Sequence, residues 1–265
     1  MKKLLSVSLK TIVFFVGWAI CVALLPIPNT ESAVLWRFWA ECIPFLAIAV
    51  LTAVFWLIER KKVPLHLFEK PVKSIVLGGI TGGIWLGLAV GILFLMSVLR
   101  IQGRNQVSFL WLWIFSTLIN TIMQEMLVRG YLYQMIKKNY NVVAAAIVST
   151  ALFTFAHGGA FEAGLIPVLN VISMSLFMTA VLEDTDSLLA PIIIHFLWNS
   201  IGAIILGGVS LAEDYPHVYN MIMSGNPILS GGVCKIEGSI IVLALNLLMI
   251  VGFVWAKKKQ CAFLL

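Results

Sequence analysis

Three apolar segments of this sequence carry ionisable or amide side chains where hydrocarbon residues would be expected. In each segment two functional residues are four positions apart, so they share one face of a helix. The pairs are Glu125 and Arg129, Phe153 and His157, and His195 and Asn199. A charged side chain inside a membrane helix costs about 2.5 to 3.5 kcal/mol on insertion scales. Polar stripes of this kind therefore indicate a functional site.

The residue types point to hydrolysis by activated water. A carboxylate beside a neutral imidazole can activate water, with Glu125 taking the proton and His157 orienting the nucleophile. His195 and Asn199 offer N–H donors for the oxyanion that forms when water attacks a peptide carbonyl. No serine or cysteine lies on the same faces, which disfavours a covalent nucleophile.

Each of these side chains also has a purely structural interpretation. Glu125 could belong to an intrahelical ion pair, and His157 could be a loop histidine at the membrane surface. His195 could be capped by a backbone carbonyl, and Asn199 could hydrogen-bond between helices. Because three stripes occur on neighbouring helices, we favour a single buried polar pocket. Asn170 is interpreted as packing polarity.

The composition identifies the solvent in which these helices lie. Of 265 residues, 61% are hydrophobic and 11% are charged, and the mean hydropathy is +1.01. These values exclude water-soluble globular classes. The net charge of +6 does not indicate a nucleic-acid partner, because the positive residues collect at the ends of apolar runs. The chain is expected in a cell membrane, in contact with lipid.

The apolar runs predict an all-α, polytopic membrane protein with about eight transmembrane helices. The expected spans are 8–26, 35–58, 75–99, 109–130, 141–157, 164–182, 188–207 and 239–256. Residues 1–265 are expected to form a single integral-membrane domain, with the motif-bearing core at about 109–207. The catalytic cavity is predicted among the fourth, fifth and seventh spans.

The positive residues predict the orientation of the chain. With both termini in the cytoplasm, most Lys and Arg residues fall on the inner side, as the positive-inside rule requires. The exceptions are Arg37, Arg100, Arg104 and Lys235. The depth of Glu125 depends on its own helix. If that helix stops at Gly130, Glu125 lies near the inner end, and if it continues to Lys137, Glu125 lies roughly 18 Å from that end.

The polar stripes resemble the three motifs of a known family. Gln124-Glu125-Met126-Leu127-Val128-Arg129-Gly130, Phe153-Thr154-Phe155-Ala156-His157 and His195-Phe196-Leu197-Trp198-Asn199 are similar to the motifs EExxxR, FxxxH and HxxxN. These belong to the CAAX protease and bacteriocin-processing (CPBP, or Abi) intramembrane proteases. All three occur in the family's order on apolar helices.

The resemblance implies an intramembrane endopeptidase with roles for each motif residue. Glu125 and His157 would activate water, His195 and Asn199 would stabilise the oxyanion, and Arg129 would orient its carboxylate neighbour. Gln124, Arg129 and Phe153 would bind substrate or support the catalytic residues. The expected chemistry needs no cofactor, and the alternative is zinc bound by Glu125, His157 and His195.

One position departs from the family pattern, because Gln124 stands where the family has its first glutamate. An amide cannot act as a base at neutral pH. Either Glu125 takes the general-base role, or the protein is an inactive relative that acts as a bacteriocin self-immunity or scaffold protein. A small proton-coupled transporter is a further alternative.

The resemblance implies a membrane-associated peptide or protein substrate, either a prenylated CaaX tail or a bacteriocin-related peptide. Small size and the absence of an extra soluble domain fit a bacterial membrane protein, for which a bacteriocin-related or general peptide is the more natural substrate. The expected partners are thus membrane lipid and a peptide, with no nucleic acid.

Overall fold

The structure, a computed structural model, describes residues 1–210 and 214–263. It is almost entirely helical, which confirms the all-α class. The α-helices are α1 (Lys2–Leu24), α2 (Ala33–Ile58), α3 (Pro71–Leu95), α4 (Leu110–Arg129), α5 (Tyr131–Asn139), α6 (Val142–Ala156), α7 (Gly159–Ala163), α8 (Leu165–Thr185), α9 (Leu189–Leu197), α10 (Pro227–Ser230) and α11 (Ile240–Phe263). A π-helix (Trp198–Ile205) continues α9, and a 3-10 helix (Gly232–Gly238) precedes α11.

A helix occupies each predicted span, but not all of these helices have the properties of a membrane crossing. Among the described residues, five are long and apolar enough to cross a bilayer. They are Lys2–Leu24, Ala33–Ile58, Pro71–Leu95, Leu165–Thr185 and Gly232–Lys259. Val142–Ala156 and Leu189–Ile205 are apolar but shorter. An integral membrane protein is therefore confirmed, and eight crossings stay a prediction.

The helix that carries Glu125 does not continue to Lys137. α4 ends at Arg129 because Gly130 leaves the helical conformation, with φ −71° and ψ −119°, and α5 begins at Tyr131. A Cβ atom at residue 130 would lie 2.5 Å from the Met126 carbonyl oxygen, so this break requires glycine. Glu125 thus lies four residues before the end of its helix.

The helices form two compact units. The first comprises Met1–Leu67 and Phe109–Ser149, and in it α2 packs along α4 while α1 packs against α2. The rings of Phe14, Phe55 and Tyr131 form its aromatic cluster, with centroids 5.2 to 5.3 Å apart. The polar residues of the first motif lie in this unit.

The second unit comprises Phe68–Ser108 and the described residues from Thr150 onward. Here α3 packs against α9, and α8 packs against α11. Trp85 stacks on Trp198 at 4.2 Å between ring centroids, and Phe177 meets Trp85 edge-on at 5.4 Å. The histidines of the second and third motifs also lie in this unit.

The sequence did not predict a two-stranded sheet that the second unit contains. β1 (Leu99–Arg104) pairs antiparallel with β2 (Tyr219–Met223), with Leu99 opposite Met223. Beside the sheet, the Asn105 side chain donates to the His217 carbonyl oxygen at 3.0 Å. The strands are short and far apart in the chain, so local alternation could not reveal their pairing.

Candidate active site

The carboxylate of the first motif is held in a buried ion pair. Arg129 Nη1 donates to Glu125 Oε2 at 2.8 Å, and both side chains have 0% of their surface exposed. The two residues are one turn apart in α4, so the helix itself sets this geometry. The pair offsets the cost of burying each charge, and it fixes the direction in which the carboxylate points.

The neighbouring Gln124 belongs to a separate hydrogen-bond chain that joins α2 to α4. Arg37 pairs with Glu41 at 3.1 Å, and Asn120 Nδ2 donates to the second oxygen of Glu41 at 2.7 Å. Gln124 Nε2 in turn donates to Asn120 Oδ1 at 2.7 Å. The amide at the altered motif position is thus anchored through Asn120 to a buried carboxylate of another helix.

Phe153 brings the histidines of two helices together. Its ring centroid lies 4.2 Å from that of His157 and 6.0 Å from that of His195. Phe153 and His195 are each 2% exposed, whereas His157 is half-buried. The second motif thus places an aromatic ring against both imidazoles, and this contact fixes their spacing.

Backbone contact also determines the tautomer of His157. Its Nδ1 lies 2.8 Å from the carbonyl oxygen of Phe153. A carbonyl can only accept a hydrogen bond, so Nδ1 carries the proton in the neutral ring and Nε2 carries the lone pair. This is the tautomer that can accept a hydrogen bond from water at Nε2.

Asn199 lies at the point where the seventh predicted span changes its helix type. α9 ends at Leu197, and residues Trp198–Ile205 form a π-helix whose turns contain an extra residue. Asn199 is the second residue of this π-helix, whereas His195 lies in the last turn of α9. Both side chains are nearly fully buried, at 4% and 2% exposure. π-Helical segments are rare in proteins and are frequent at functional sites.

His157 lines a cavity of about 350 Å³ within the second unit. Its polar lining includes Glu237, Asn170 and Asn246, and Trp198 contributes to its apolar wall. The side-chain oxygens of the two asparagines are buried without a partner among the described residues. The cavity thus has amide and carboxylate side chains beside an imidazole in its wall, as is typical of ligand-binding pockets.

Glu237 and Asn170 connect the cavity wall to the start of α11. Glu237 Oε2 accepts from the Ser210 backbone N–H at 2.7 Å. Asn170 Nδ2 donates to the carbonyl oxygens of Glu237 at 2.7 Å and Ser239 at 3.0 Å. Asn170 therefore does more than provide packing polarity, because it both holds this segment and lines the cavity.

Sequence reasoning missed several of these polar residues. Asn120 precedes Gln124 by one helical turn, so the polar stripe of α4 could have revealed it. Asn246 is an isolated amide within an apolar span, which is a detectable exception. Glu237 lies outside the apolar runs and has no local pattern that would identify it.

The structure brings together some of the predicted site residues. Glu125 contacts Arg129 in the first unit, and Phe153 contacts His157 and His195 in the second. The convergence of all motif residues on one pocket stays a prediction. In the part of the chain that is described, no group of three or more His, Cys, Asp or Glu residues is arranged to hold a metal ion. The zinc alternative also stays a prediction.

Comparison with known families supports the motif assignment. The family model described as type II CAAX prenyl endopeptidase Rce1-like matches residues 106–201. This range contains the complete first, second and third motifs. No curated protein and no solved structure matches the chain. The match confirms the resemblance to the CPBP proteases that the motifs indicated.

Proposed function

We propose that this protein, whose residues 106–201 match the Rce1-like CAAX prenyl endopeptidases, is an intramembrane endopeptidase that cleaves membrane-associated peptides. The observation that carries the proposal is the family match across all three motifs. The cavity beside His157 supports it, because a peptide needs a polar recess within an otherwise apolar protein.

In the proposed reaction Glu125 is the general base. It accepts one proton from water that His157 orients, and the water oxygen attacks the scissile carbonyl carbon. His195 and Asn199 donate hydrogen bonds to the oxyanion. The C–N bond then breaks, and Glu125 returns its proton to the leaving amine. The products are a carboxylic acid and an amine, so no cofactor has to be supplied.

The proposed substrate is a peptide with a prenylated C-terminal tail. The matching family is described as a prenyl endopeptidase family, and a prenyl chain would keep its peptide at the membrane. A bacteriocin-related peptide is the other substrate class, and comparison of prenylated with unmodified peptides separates the two.

A second candidate is a non-catalytic relative that acts as an immunity or scaffold protein. Gln124 favours it, because the amide replaces the glutamate that the family pattern places first and is engaged with Asn120. A proton-coupled transporter is a less favoured candidate. Asn199 distinguishes it, because an amide can stabilise an oxyanion but cannot carry a proton.

The chain is proposed to lie in a bacterial cell membrane with both termini in the cytoplasm. The inner side in this arrangement contains the dense positive segments Arg60–Lys62 and Lys257–Lys259. The positive-inside rule supports this orientation.

The test is peptide cleavage by purified protein in lipid vesicles. A fluorogenic farnesylated CaaX peptide should be cleaved faster than its unmodified form. Glu125→Gln and His157→Ala should lower kcat by at least about 100-fold. His66→Ala is the matched control, because it removes a loop histidine that the proposal does not use, and it should cleave normally. Equal rates in all four proteins would contradict the proposal.

A further inference from the structure

The hydrogen-bond chain that ends at Gln124 has a fixed direction. At its first end, Glu41 is 4% exposed and pairs with Arg37, so its carboxylate acts only as an acceptor. Asn120 must therefore present its NH₂ group to Glu41, as the 2.7 Å contact shows. The charge on α2 thus decides how the Asn120 amide is oriented.

The orientation of Asn120 then decides that of Gln124. With its NH₂ group committed to Glu41, Asn120 turns its carbonyl oxygen towards Gln124. Gln124 must donate its own NH₂ group to that oxygen, and the distance is 2.7 Å. The chain therefore leaves Gln124 Oε1 as the terminal acceptor. This atom is buried and has no partner among the described residues.

An oriented acceptor at the residue that precedes Glu125 in α4 suits the chemistry of water attack. A nucleophilic water has two O–H groups, and a general base accepts only one of them. A second acceptor fixes the other O–H group, so that the oxygen lone pair points at the carbonyl carbon. An amide oxygen can fill this second place although it cannot take a proton.

We propose that Glu41 and Asn120 are positioning residues that hold Gln124 as the second hydrogen-bond acceptor for the attacking water. This inference rests on the proposed peptidase function. The proton that leaves the water goes to Glu125, and the O–H group bound by Gln124 stays intact. In this proposal Gln124 binds the attacking water directly, although it takes no proton.

The same directionality explains why glutamine occupies this position. A carboxylate at residue 124 could only accept, but the Asn120 atom that faces residue 124 is the side-chain oxygen, which also only accepts. If the Asn120 amide turned over, its oxygen would face Glu41 instead. In either orientation, one of the two carboxylates would face the Asn120 oxygen. Glutamine at 124 and glutamate at 41 are therefore compatible, as are glutamate at 124 and glutamine at 41.

A double-mutant cycle in thermal unfolding tests the direction of the chain without using activity. Gln124→Glu should lower Tm by about 5 °C, and adding Glu41→Gln should recover most of this loss. Glu31→Gln is the control for the second substitution, because Glu31 is an exposed carboxylate just before α2. It should not rescue Gln124→Glu. The direction of the chain is overturned if Glu41→Gln and Glu31→Gln affect Gln124→Glu equally.

Kinetics then test the role in catalysis. Asn120→Leu and Gln124→Met should lower kcat about 10-fold with KM nearly unchanged, because the acceptor contacts water and not the peptide. The Gln124→Glu/Glu41→Gln protein should cleave faster than Gln124→Glu alone. A rise in KM at constant kcat overturns the water-positioning role.

The two proposals fail in different ways. If wild-type protein cleaves and Glu125→Gln does not, but kcat is unchanged in Asn120→Leu, the peptidase function stands and the role of the chain is wrong. If wild-type protein cleaves no peptide, the water-positioning role falls with the peptidase function. If Glu41→Gln still recovered the Tm lost in Gln124→Glu, the hydrogen-bond chain would have a structural role only.

Discussion

At the scale of single residues, the ring of Phe153 positions the imidazoles. It contacts His157 and His195, and its carbonyl oxygen fixes the tautomer of His157. One residue thus contacts both rings and sets the tautomer of one of them. The FxxxH spacing follows from this geometry, because the carbonyl group of residue i accepts from a side chain one turn later.

The Phe153→Leu variant should show whether Phe153 positions the two imidazoles or only fills space in the core. We expect kcat to fall about 10-fold, because leucine lacks the flat ring that fixes both imidazoles. The loss of unfolding free energy should be only about 1 kcal/mol, since the side-chain volume is nearly conserved. Phe14→Leu is the matched control, because Phe14 is also a fully buried phenylalanine. Equal kcat losses in both variants would contradict the positioning role.

The Glu125 and Arg129 ion pair should show the energetics of a buried pair. Removal of one partner, in Arg129→Met or Glu125→Gln, should cost about 3 to 5 kcal/mol because an uncompensated group stays buried. The double variant should recover much of this stability and remain inactive. Thermal unfolding in detergent and peptide cleavage measure the two effects.

The control for the ion pair is the more exposed pair of Lys10 and Glu59, whose side chains are 34% and 21% exposed. Lys10→Met should cost no more than about 1 kcal/mol, since water screens this pair. If Lys10→Met were as damaging as Arg129→Met, burial would not be the cause.

At the scale of elements, close packing of α3 against α9 positions His195. A Cβ atom at Gly78 would lie 2.8 Å from the Ala190 carbonyl oxygen and 3.0 Å from Ile193 Cβ. The adjacent Gly79 has no atom within 4 Å of its Cβ position. The lack of a side chain at Gly78 therefore permits the close approach of α3 and α9, whereas the approach does not depend on a glycine at residue 79.

These two glycines make a matched pair of variants. Gly78→Ala should lower unfolding free energy by about 1 to 3 kcal/mol, because α9 has to move away, and it should lower kcat because α9 carries His195. Gly79→Ala should be neutral or stabilise the helix by up to about 1 kcal/mol. Thermal unfolding and cleavage rates check both. Similar effects at the two positions would contradict the packing argument.

At the scale of the whole molecule, the distribution of positive charge predicts orientation in the membrane. Single cysteines can be introduced at the exposed residues Lys70 and Gln106 after the native cysteines are replaced by alanine. A membrane-impermeant maleimide should label the Lys70→Cys protein in inside-out vesicles and the Gln106→Cys protein in right-side-out vesicles. The reverse pattern would place the termini outside.

The amino-acid sequence by itself determined the membrane class, the all-α fold and the family resemblance. The apolar composition shows that the protein lies in a membrane. Each of the three motifs is a spacing within one segment, such as that from His195 to Asn199, so it can be recognised without the fold. The sequence left open whether the helix that carries Glu125 ends at Gly130 or continues to Lys137, and the structure shows that it ends there. The change to a π-helix at Trp198 has no signal in the local spacing of residues.

Only the tertiary structure decided which polar groups meet. Asn120 reaches Glu41 on another helix, Phe153 touches His195, and Glu237 joins Asn170 at the cavity wall. These contacts connect residues far apart in the chain, and no spacing records them. Their physical basis is that a buried polar group needs a partner, and folding alone determines which partner is within reach.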